Sequence, residues 1–340
     1  MKKKWIVEAA YIIAGLTFLG VCMTGGQAGS VTPAGPGVTE PLVPTQAPGL
    51  TPEVQPTPEG PVSTVTPPET GVTEPPVPTE SITPTEPPES TGTVRKEIKN
   101  EDYAQYDNET CAWWFLRKRD HSPSGSGEAF PVAPYSAYYR NTEVTDEDKV
   151  VYLTFDCGYE NGYTPAILDT LAEEGVKAMF FVTKDFVVKN PEYIKRMKEE
   201  GHLVGNHTVR HLSSPSLTPE ELSAELNEVA DTMEELTGYR MDPFFRPPMG
   251  EYSERTLKVT QDMGYSSVFW SIAYHDYDVN DQPGKEYVVE HFREYHHNGT
   301  IALLHNISES NTQALGEVIA LLKEEGYRFG LLTELPGERP

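Results

Sequence analysis

From about residue 149 the chain alternates short apolar runs with longer segments of mixed polarity. A continuous apolar run of four to eight residues is typical of a strand buried on both faces. The sequence predicts seven such strands, VVYLTF at 150–155, AMFFVT at 178–183, HLVGNHT at 202–208, FFRPP at 244–248, YSSVFW at 265–270, TIALLH at 300–305 and YRFGLL at 327–332.

Helix signals separate these strands. Pro at the first helical position, a capping box of Thr218 with Glu221 and a closing Gly238 mark individual helix ends. The predicted helices are 164–175, 191–201, 218–237, 253–263, 285–297 and 311–325. Strands that alternate with helices pair in parallel through right-handed crossovers. The pattern therefore predicts an α/β fold, a distorted (β/α) barrel with about seven parallel strands, whose strand carboxyl ends form the active face.

The first 30 residues form a segment of their own. Three lysines precede an apolar stretch over residues 5–23 that is interrupted only by Glu8. Such a segment is a signal peptide or a membrane anchor, and its length is near the minimum for spanning a bilayer. The sequence offers two candidate processing sites. One is a small-residue cleavage site at 26–28, and the other is a lipoprotein cysteine at Cys22, where the bulky Val21 makes a poor lipobox.

Residues 31–94 have the composition of a spacer. They contain 17 of the 30 prolines and no Lys or Arg, and GVTEPLVPTQ at 37–46 returns as GVTEPPVPTE at 71–80. Because such a segment cannot bury enough apolar surface to fold, we expect a disordered, extended Pro/Thr/Glu-rich linker. We expect residues 95–148 to be an N-terminal extension packed on the barrel and 149–340 to be the catalytic domain. Alternatively, some aromatic residues of the extension line a sugar-binding groove.

Charge and cysteine content argue against a nucleic-acid-binding protein and against a disulfide-bonded scaffold. The net charge is −25, and residues 95–340 carry 24 Lys and Arg against 43 Asp and Glu. An acidic domain argues against nucleic acid as a partner. The three cysteines, Cys22, Cys111 and Cys157, do not make a disulfide framework.

Chemically reactive side chains stand at the predicted strand ends. Asp156 follows the first strand in TFDCGYE, His207 and His211 belong to GNHTVRH, Arg246 lies in FFRPP and His305 ends IALLH. A parallel barrel brings strand carboxyl ends to one face. A carboxylate base, a histidine pair for a metal and a further histidine as acid together indicate metal-assisted hydrolysis.

Five motifs in order give the chain a family resemblance over roughly residues 149–335. The chain resembles the polysaccharide deacetylases of carbohydrate esterase family four, the nodulation-factor deacetylase homology domain. The five motifs are TFDCGYE, HTVRH, RPPMG, a strand ending in FW followed by HDY, and LLH. Within this family the chain resembles most the subgroup of spore-cortex enzymes that deacetylate muramic acid on the way to the δ-lactam. The segments that carry this closer resemblance are FDCGYENGYTP, GHLVGNHTVRH, FRPPMGEYSERTL and FWSIAY.

The resemblance implies roles for the acid and base groups. Asp156 matches the catalytic base, and Arg246 the arginine that orients it and keeps it ionised. His305 matches the general acid, and Asp276 the carboxylate that pairs with it and raises its pKa. The family usually has Trp after this aspartate, where this chain has Tyr277.

The resemblance also implies a divalent metal held by His207 and His211. Cys157 stands where the family has a second aspartate as third ligand. A thiolate ligand favours zinc, but Cys157 could equally be a small buried hydrophobic residue. A backbone N–H near Tyr159 is a candidate for half of the oxyanion hole.

The expected activity is metal-dependent removal of N-acetyl groups from an extracytoplasmic glycan, in particular N-acetylmuramic acid of peptidoglycan. We expect a secreted protein or one anchored to the outer face of the bacterial membrane through its N-terminal segment alone. The alternatives are a deacetylase of N-acetylglucosamine in peptidoglycan or chitooligosaccharides, and a carbohydrate-binding pseudoenzyme, which the departure at Cys157 suggests.

Overall fold

A computed structural model of the protein describes residues 97–336. The predicted signal or anchor, 1–30, and the predicted linker, 31–94, lie outside the described residues. The elements in chain order are β1 (Cys111–Ala112), β2 (Phe115–Leu116), β3 (Gly125–Ser126), β4 (Ala137–Tyr138), β5 (Val150–Cys157), α1 (Thr164–Glu173), β6 (Met179–Val182), α2 (Lys184–Lys189), α3 (Pro191–Glu199), β7 (Leu203–Asn206), α4 (Pro219–Thr237), β8 (Phe244–Phe245), β9 (Glu251–Tyr252), α5 (Glu254–Asp262), β10 (Ser266–Val268), α6 (Lys285–Tyr295), β11 (Thr300–His305), α7 (Glu309–Glu324) and β12 (Arg328–Phe329).

The main sheet is parallel throughout and curls on itself. Its strand order is β11-β5-β6-β7-β8-β10-β4, and the short β12 adds to β5. The two ends of this path meet through single bridges, a parallel one between Ile272 and Ala302 and an antiparallel one between Arg140 and Thr300. The predicted distorted barrel of about seven parallel strands is confirmed.

Alternate residues of β5 face two different cores. Val150 and Tyr152 belong to the apolar cluster inside the barrel, whereas Val151, Leu153 and Phe155 belong to the cluster between sheet and helices. Because side chains alternate across a strand, Asp156 shares the interior side and Cys157 shares the helix side. Cys157 is indeed part of the helix-side cluster.

Several predicted elements differ from those in the structure, and three of the differences have a clear cause. The predicted strand 327–332 is reduced to β12, because only two residues bond to β5. Helix α2 was not predicted, since its six residues are too few to show a helical period. Helix α7 begins at Glu309 rather than 311, because Ser308 caps it by accepting from Asn311 N.

The residues before β5 contact the barrel directly. Strand β4 extends the main sheet beside β10, and β1 pairs antiparallel with β9. The Trp113 ring stacks on Phe269 with centroids 4.6 Å apart, and its Nε1 donates to the carbonyl oxygen of Trp270 at 3.0 Å. Trp113 therefore ties this region to the end of β10.

Between 97 and 336, no helix has both the length and the apolar character needed to cross a bilayer.

Replacing Trp113 by alanine tests this anchorage. Trp113 is 6% exposed, whereas the neighbouring Trp114 is 59% exposed. We expect Trp113→Ala to lower the free energy of unfolding by about 3–5 kcal/mol, since a buried aromatic ring and its packing are lost. Trp114→Ala is the matched control and should cost about 1 kcal/mol or less. Denaturant unfolding measures both, and equal losses would show that Trp113 is not the anchor.

Candidate active site

Four strand ends bring the predicted site residues to the carboxyl edge of the barrel. Strands β5 and β11 are hydrogen-bonded neighbours in register, with His305 opposite Asp156. His207 directly follows β7, and Arg246 directly follows β8. The parallel register therefore places Asp156, His305, Arg246 and the histidine pair on one face, as the sequence predicts.

A buried ion pair lies at the centre of this face. Arg246 Nη1 donates to Asp156 Oδ1 at 2.8 Å, and Arg246 is fully buried. Its remaining donors reach the carbonyl oxygens of Val268 at 3.0 Å and Phe269 at 3.4 Å. Burial alone would raise the pKa of Asp156, but Arg246, His207 and His305 together outweigh burial and lower it. Asp156 is therefore ionised and held in one orientation.

His207 is a neutral imidazole in contact with that carboxylate. Its Nδ1 lies 2.8 Å from the carbonyl oxygen of Arg246, which can only accept, so Nδ1 carries the proton. Burial lowers the pKa of His207 to about 4. Its Nε2, left with a lone pair, lies 3.5 Å from Asp156 Oδ2. A neutral imidazole oriented by a backbone carbonyl is the usual form of a metal ligand.

His211 completes the histidine pair through an unusual loop. The rings of His207 and His211 have centroids 4.8 Å apart at 76°. Burial also lowers the pKa of His211. Thr208 and His211 both have left-handed backbone conformations, with φ of 66° and 53°. Such non-glycine conformations cost on the order of 1–3 kcal/mol each, and they cluster at functional sites.

The loop is held in place by two polar side chains. Asn206 Oδ1 accepts from the backbone N–H of Thr208 at 3.0 Å. Glu225, buried on α4, accepts from the backbone N–H groups of Val209 at 2.7 Å and Arg210 at 2.9 Å. These hydrogen bonds offset the strain and fix where His211 stands.

His305 differs from His207 and His211, because its surroundings favour the protonated imidazolium over the neutral imidazole. Its Nδ1 lies 2.7 Å from Asp276 Oδ1, and its backbone N–H donates to Asp276 Oδ2 at 2.8 Å. Burial would lower the pKa of His305, but the charge and hydrogen bond of the fully buried Asp276, together with the Asp156 carboxylate, outweigh burial and raise it. The sequence reading of Asp276 as the partner of His305 thus matches the geometry, and Nε2 is the nitrogen left for other contacts.

Sequence reasoning missed the residue that supports Asp276 from behind. Asn311 Nδ2 donates to Asp276 Oδ2 at 2.6 Å, and Tyr274 Oη donates to Asn311 Oδ1 at 2.7 Å. The available signal was Ser308, which caps α7 and so places Asn311 in its first turn. A predicted helix start at 311 hid that signal.

Two exposed tyrosines follow the strand ends near the site. The Tyr277 ring lies 5.7 Å from the His305 ring, and Tyr277 is 39% exposed. Tyr159, in the loop after β5, is 45% exposed, and its carbonyl oxygen accepts from Asn306 Nδ2 at 2.9 Å. The suggestion that a backbone N–H near Tyr159 forms part of an oxyanion hole stays a prediction.

Cys157 is the one candidate that the structure does not bring to the others. Its side chain is fully buried on the helix side of β5, and its thiol lies 3.8 Å from the carbonyl oxygen of Phe155. Burial, with the nearby charges of Asp156 and Glu160, raises the pKa of Cys157 well above its usual value. The packing of Cys157 in the apolar helix-side cluster favours the small buried hydrophobic residue over the metal ligand, and zinc stays a prediction.

The remaining donors fit a divalent ion with a partial protein ligand set. His207 and His211 offer two neutral imidazoles, and Asp156 Oδ2 lies beside them. Within residues 97–336, no group of three or more His, Cys, Asp or Glu side chains has the arrangement of a complete metal site. The two histidines are therefore the residues that can hold such an ion, with water needed for the other positions.

Several known proteins are similar to this chain. The polysaccharide deacetylase family model matches residues 143–268. The chain is 40% identical over 234 residues to the peptidoglycan-N-acetylmuramic acid deacetylase PdaA of Bacillus subtilis, covering 68% of this chain and 88% of that protein. It is 34% identical over 203 residues to a peptidoglycan-N-acetylglucosamine deacetylase of Bacillus cereus, covering 58% and 92%.

A solved structure extends the likeness to three dimensions. The structure of Bacillus subtilis PdaA, a family 4 carbohydrate esterase, superimposes with a TM-score of 0.64 at 40% identity, over 67% of this chain and 97% of that one. The shared sequence extends well beyond the motifs and covers most of the relative. The chain belongs to the polysaccharide deacetylase family, the carbohydrate esterases that act on N-acetyl amide bonds.

Proposed function

We propose that this protein is a metal-dependent peptidoglycan deacetylase that acts on N-acetylmuramic acid. One observation carries the catalytic part. Two ionisable groups in register on neighbouring strands, Asp156 and His305, have pKa values displaced in opposite directions. Such a pair assigns a base and an acid within one site.

Asp156 acts as the general base. Its free oxygen, Oδ2, is the one not bonded to Arg246, and it can take a proton from a water molecule. Arg246 keeps the carboxylate ionised, so the base is available at neutral pH. The water oxygen then bonds to the acetamide carbon.

His305 acts as the general acid. Asp276 holds Nδ1, so the imidazolium can deliver the proton on Nε2 to the nitrogen of the amide. The C–N bond breaks, and the products are acetate and a free amine on the sugar. The proton taken by Asp156 and the proton given by His305 balance the hydrolysis.

His207 and His211 would hold the divalent ion. When bound, the ion supplies a Lewis acid that lowers the pKa of a nearby water and polarises the acetamide carbonyl. Two neutral imidazoles with no thiolate do not select zinc over other divalent ions. The ligand set therefore specifies a divalent ion but not its element.

The relatives support the substrate and the compartment. The relative at 40% identity acts, by its name, on N-acetylmuramic acid of peptidoglycan. Because peptidoglycan lies outside the cytoplasmic membrane, we infer extracytoplasmic action, with residues 1–30 as a secretion signal or anchor and 31–94 as a spacer. A role in the spore cortex, where muramic acid loses its peptide, is consistent with the motifs of that subgroup.

Two rival functions remain to be tested. Deacetylation of N-acetylglucosamine is favoured by the relative at 34% identity. A carbohydrate-binding pseudoenzyme is disfavoured, because binding alone needs neither the buried Asp156–Arg246 pair nor the His305–Asp276 pair.

A substrate panel tests the proposed activity. We expect acetate release from peptide-stripped peptidoglycan to exceed that from intact peptidoglycan and chitooligosaccharides, and to fall on chelation of divalent ions. Chromatographic assay of acetate, with and without added metal, measures both effects. A preference for chitooligosaccharides would contradict the muramic acid assignment, and no release under any condition would favour the pseudoenzyme.

Asp156→Asn tests the base. We expect a loss of at least about 100-fold in kcat, since the amide cannot take a proton. The variant also leaves Arg246 buried without its counter-ion, so thermal unfolding must accompany the assay. Asp242→Asn is the matched control, because Asp242 is a buried carboxylate in another ion pair, 2.6 Å from Lys198 Nζ. It should lose stability and keep activity, and near-normal turnover by Asp156→Asn would remove Asp156 from the mechanism.

Cys157→Ala tests the metal ligands. Because the thiol packs in an apolar cluster, we expect unchanged metal affinity and a loss of about 1 kcal/mol in the free energy of unfolding. His211→Ala should lower metal affinity at least about tenfold. Titration calorimetry with Zn²⁺ and Mn²⁺ measures this, and weaker binding by Cys157→Ala alone would restore the thiolate as a ligand.

A further inference from the structure

The hydrogen bonds that hold His305 extend through Asp276 to Asn311. Asp276 is fully buried and accepts three hydrogen bonds, two from His305 and one from Asn311. Of these donors only the Asn311 amide comes from outside the acid–carboxylate pair. At 2.6 Å it is also the shortest of the three.

We propose that Asn311 is a positioning residue for the general acid: its amide holds the Asp276 carboxylate in the orientation in which that carboxylate pairs with His305. The proposal deepens the proposed function and assigns no contact with substrate to Asn311. It rests on the hydrogen-bond geometry behind Asp276, to which the family motifs quoted above do not extend.

The Asn311 amide has only one workable orientation. Tyr274 Oη donates to Asn311 Oδ1 at 2.7 Å. Burial, with Asp276 nearby, raises the pKa of Tyr274 well above its usual value, so the hydroxyl keeps its proton and remains a donor. The amide must therefore present its NH₂ group to Asp276, and a second hydrogen bond at 3.3 Å reaches the carbonyl oxygen of His305.

The surrounding loop is fixed to the same helix start. Gln282 Nε2 donates to the carbonyl oxygen of Asp276 at 2.9 Å, and Gln282 Oε1 accepts from Ser308 Oγ at 2.6 Å. Ser308 Oγ in turn accepts from the backbone N–H of Asn311 at 3.1 Å. Asp276 and Asn311 are thus tied together through backbone as well as side chains, so the amide meets the carboxylate without rearrangement.

The electrostatic effect of this amide has a definite sign. With His305 neutral, the pair carries one negative charge in a buried place, and with His305 protonated the pair is neutral overall. A donor to the carboxylate stabilises the negative state more, and so it limits how far Asp276 raises the pKa of His305. Loss of the Asn311 donor should therefore raise the pKa of the pair further.

Other charged groups face His305 but do not depend on Asn311. The Asp156 carboxylate raises the pKa of His305 and Arg246 lowers it. His211 and the Tyr277 ring also lie near its imidazole. None of these four residues has a hydrogen bond to Asn311 among the described contacts, so a change at Asn311 leaves their contributions in place.

The test is the pH dependence of three variants. Asn311→Leu keeps the volume and removes the donor. We expect the pKa of His305 to rise by about one unit, the size of one lost hydrogen bond, and kcat to fall about tenfold as the pair loses its orientation. Tyr274→Phe keeps the ring and frees the amide to turn, so it should shift the pKa in the same direction by less.

Asn190→Leu is the structural control. Asn190 is also a buried asparagine whose Nδ2 donates to a carbonyl oxygen, that of Phe186 at 3.0 Å, but it lies between α2 and α3. It should lower the melting temperature and leave the alkaline limb of the kcat–pH profile unmoved. If Asn311→Leu behaves in the same way, Asn311 has only a structural role and the proposal is overturned.

An NMR titration separates this inference from the proposed function. The imidazole resonances of His305 report its pKa in the resting protein without any substrate. If the wild type releases no acetate, the proposed function fails, yet an upward shift in Asn311→Leu would still support the inference. If Asn311→Leu does not fold, Tyr274→Phe carries the same test, and an unshifted His305 in that folded variant would overturn it.

Discussion

The site depends on one buried ion pair between Asp156 and Arg246. Removing two charges from water costs several kcal/mol per ion, and only a fully bonded arrangement offsets that cost. Here the guanidinium reaches Asp156 and two carbonyl oxygens at the end of β10, and its face lies 4.3 Å over the Phe181 ring. Arg246 also uses its own carbonyl oxygen to orient His207. One residue therefore fixes Asp156, His207 and the end of β10 together.

Burial disfavours the charged forms of both Asp156 and His305. The charges of their neighbours reverse that effect, so the pKa of each group shifts in the direction that favours its charged form. Asp156 faces a cation and its pKa is lowered, whereas His305 faces the Asp276 carboxylate and its pKa is raised. Both groups are thereby biased towards their charged forms, a carboxylate and an imidazolium. A single enclosed face can hold both because β5 and β11 are adjacent and in register.

The sequence was sufficient for the barrel and for most of the site because both follow from strand ends. Parallel strands that finish in Asp156, His207, Arg246 and His305 must present them at one edge. It was insufficient for Asn311, whose role requires knowing that α7 starts close behind Asp276, a contact across 35 positions of the chain. It was also insufficient for α2, which is stabilised by packing of Phe186 and Val187 rather than by a long periodic pattern.

Cys157 shows how strand geometry limits what adjacent residues can share. The run 150–157 is buried throughout, so its composition conceals which residues face the barrel and which face the helices. The structure resolves this by alternation, and Asp156 and Cys157 point to opposite sides while both remain in the strand. In this chain Cys157 therefore packs on the helix side of β5, while Asp156 faces His207 from the interior. The charges of the site are set by side-chain pairs of the chain itself, Arg246 with Asp156 and Asp276 with His305.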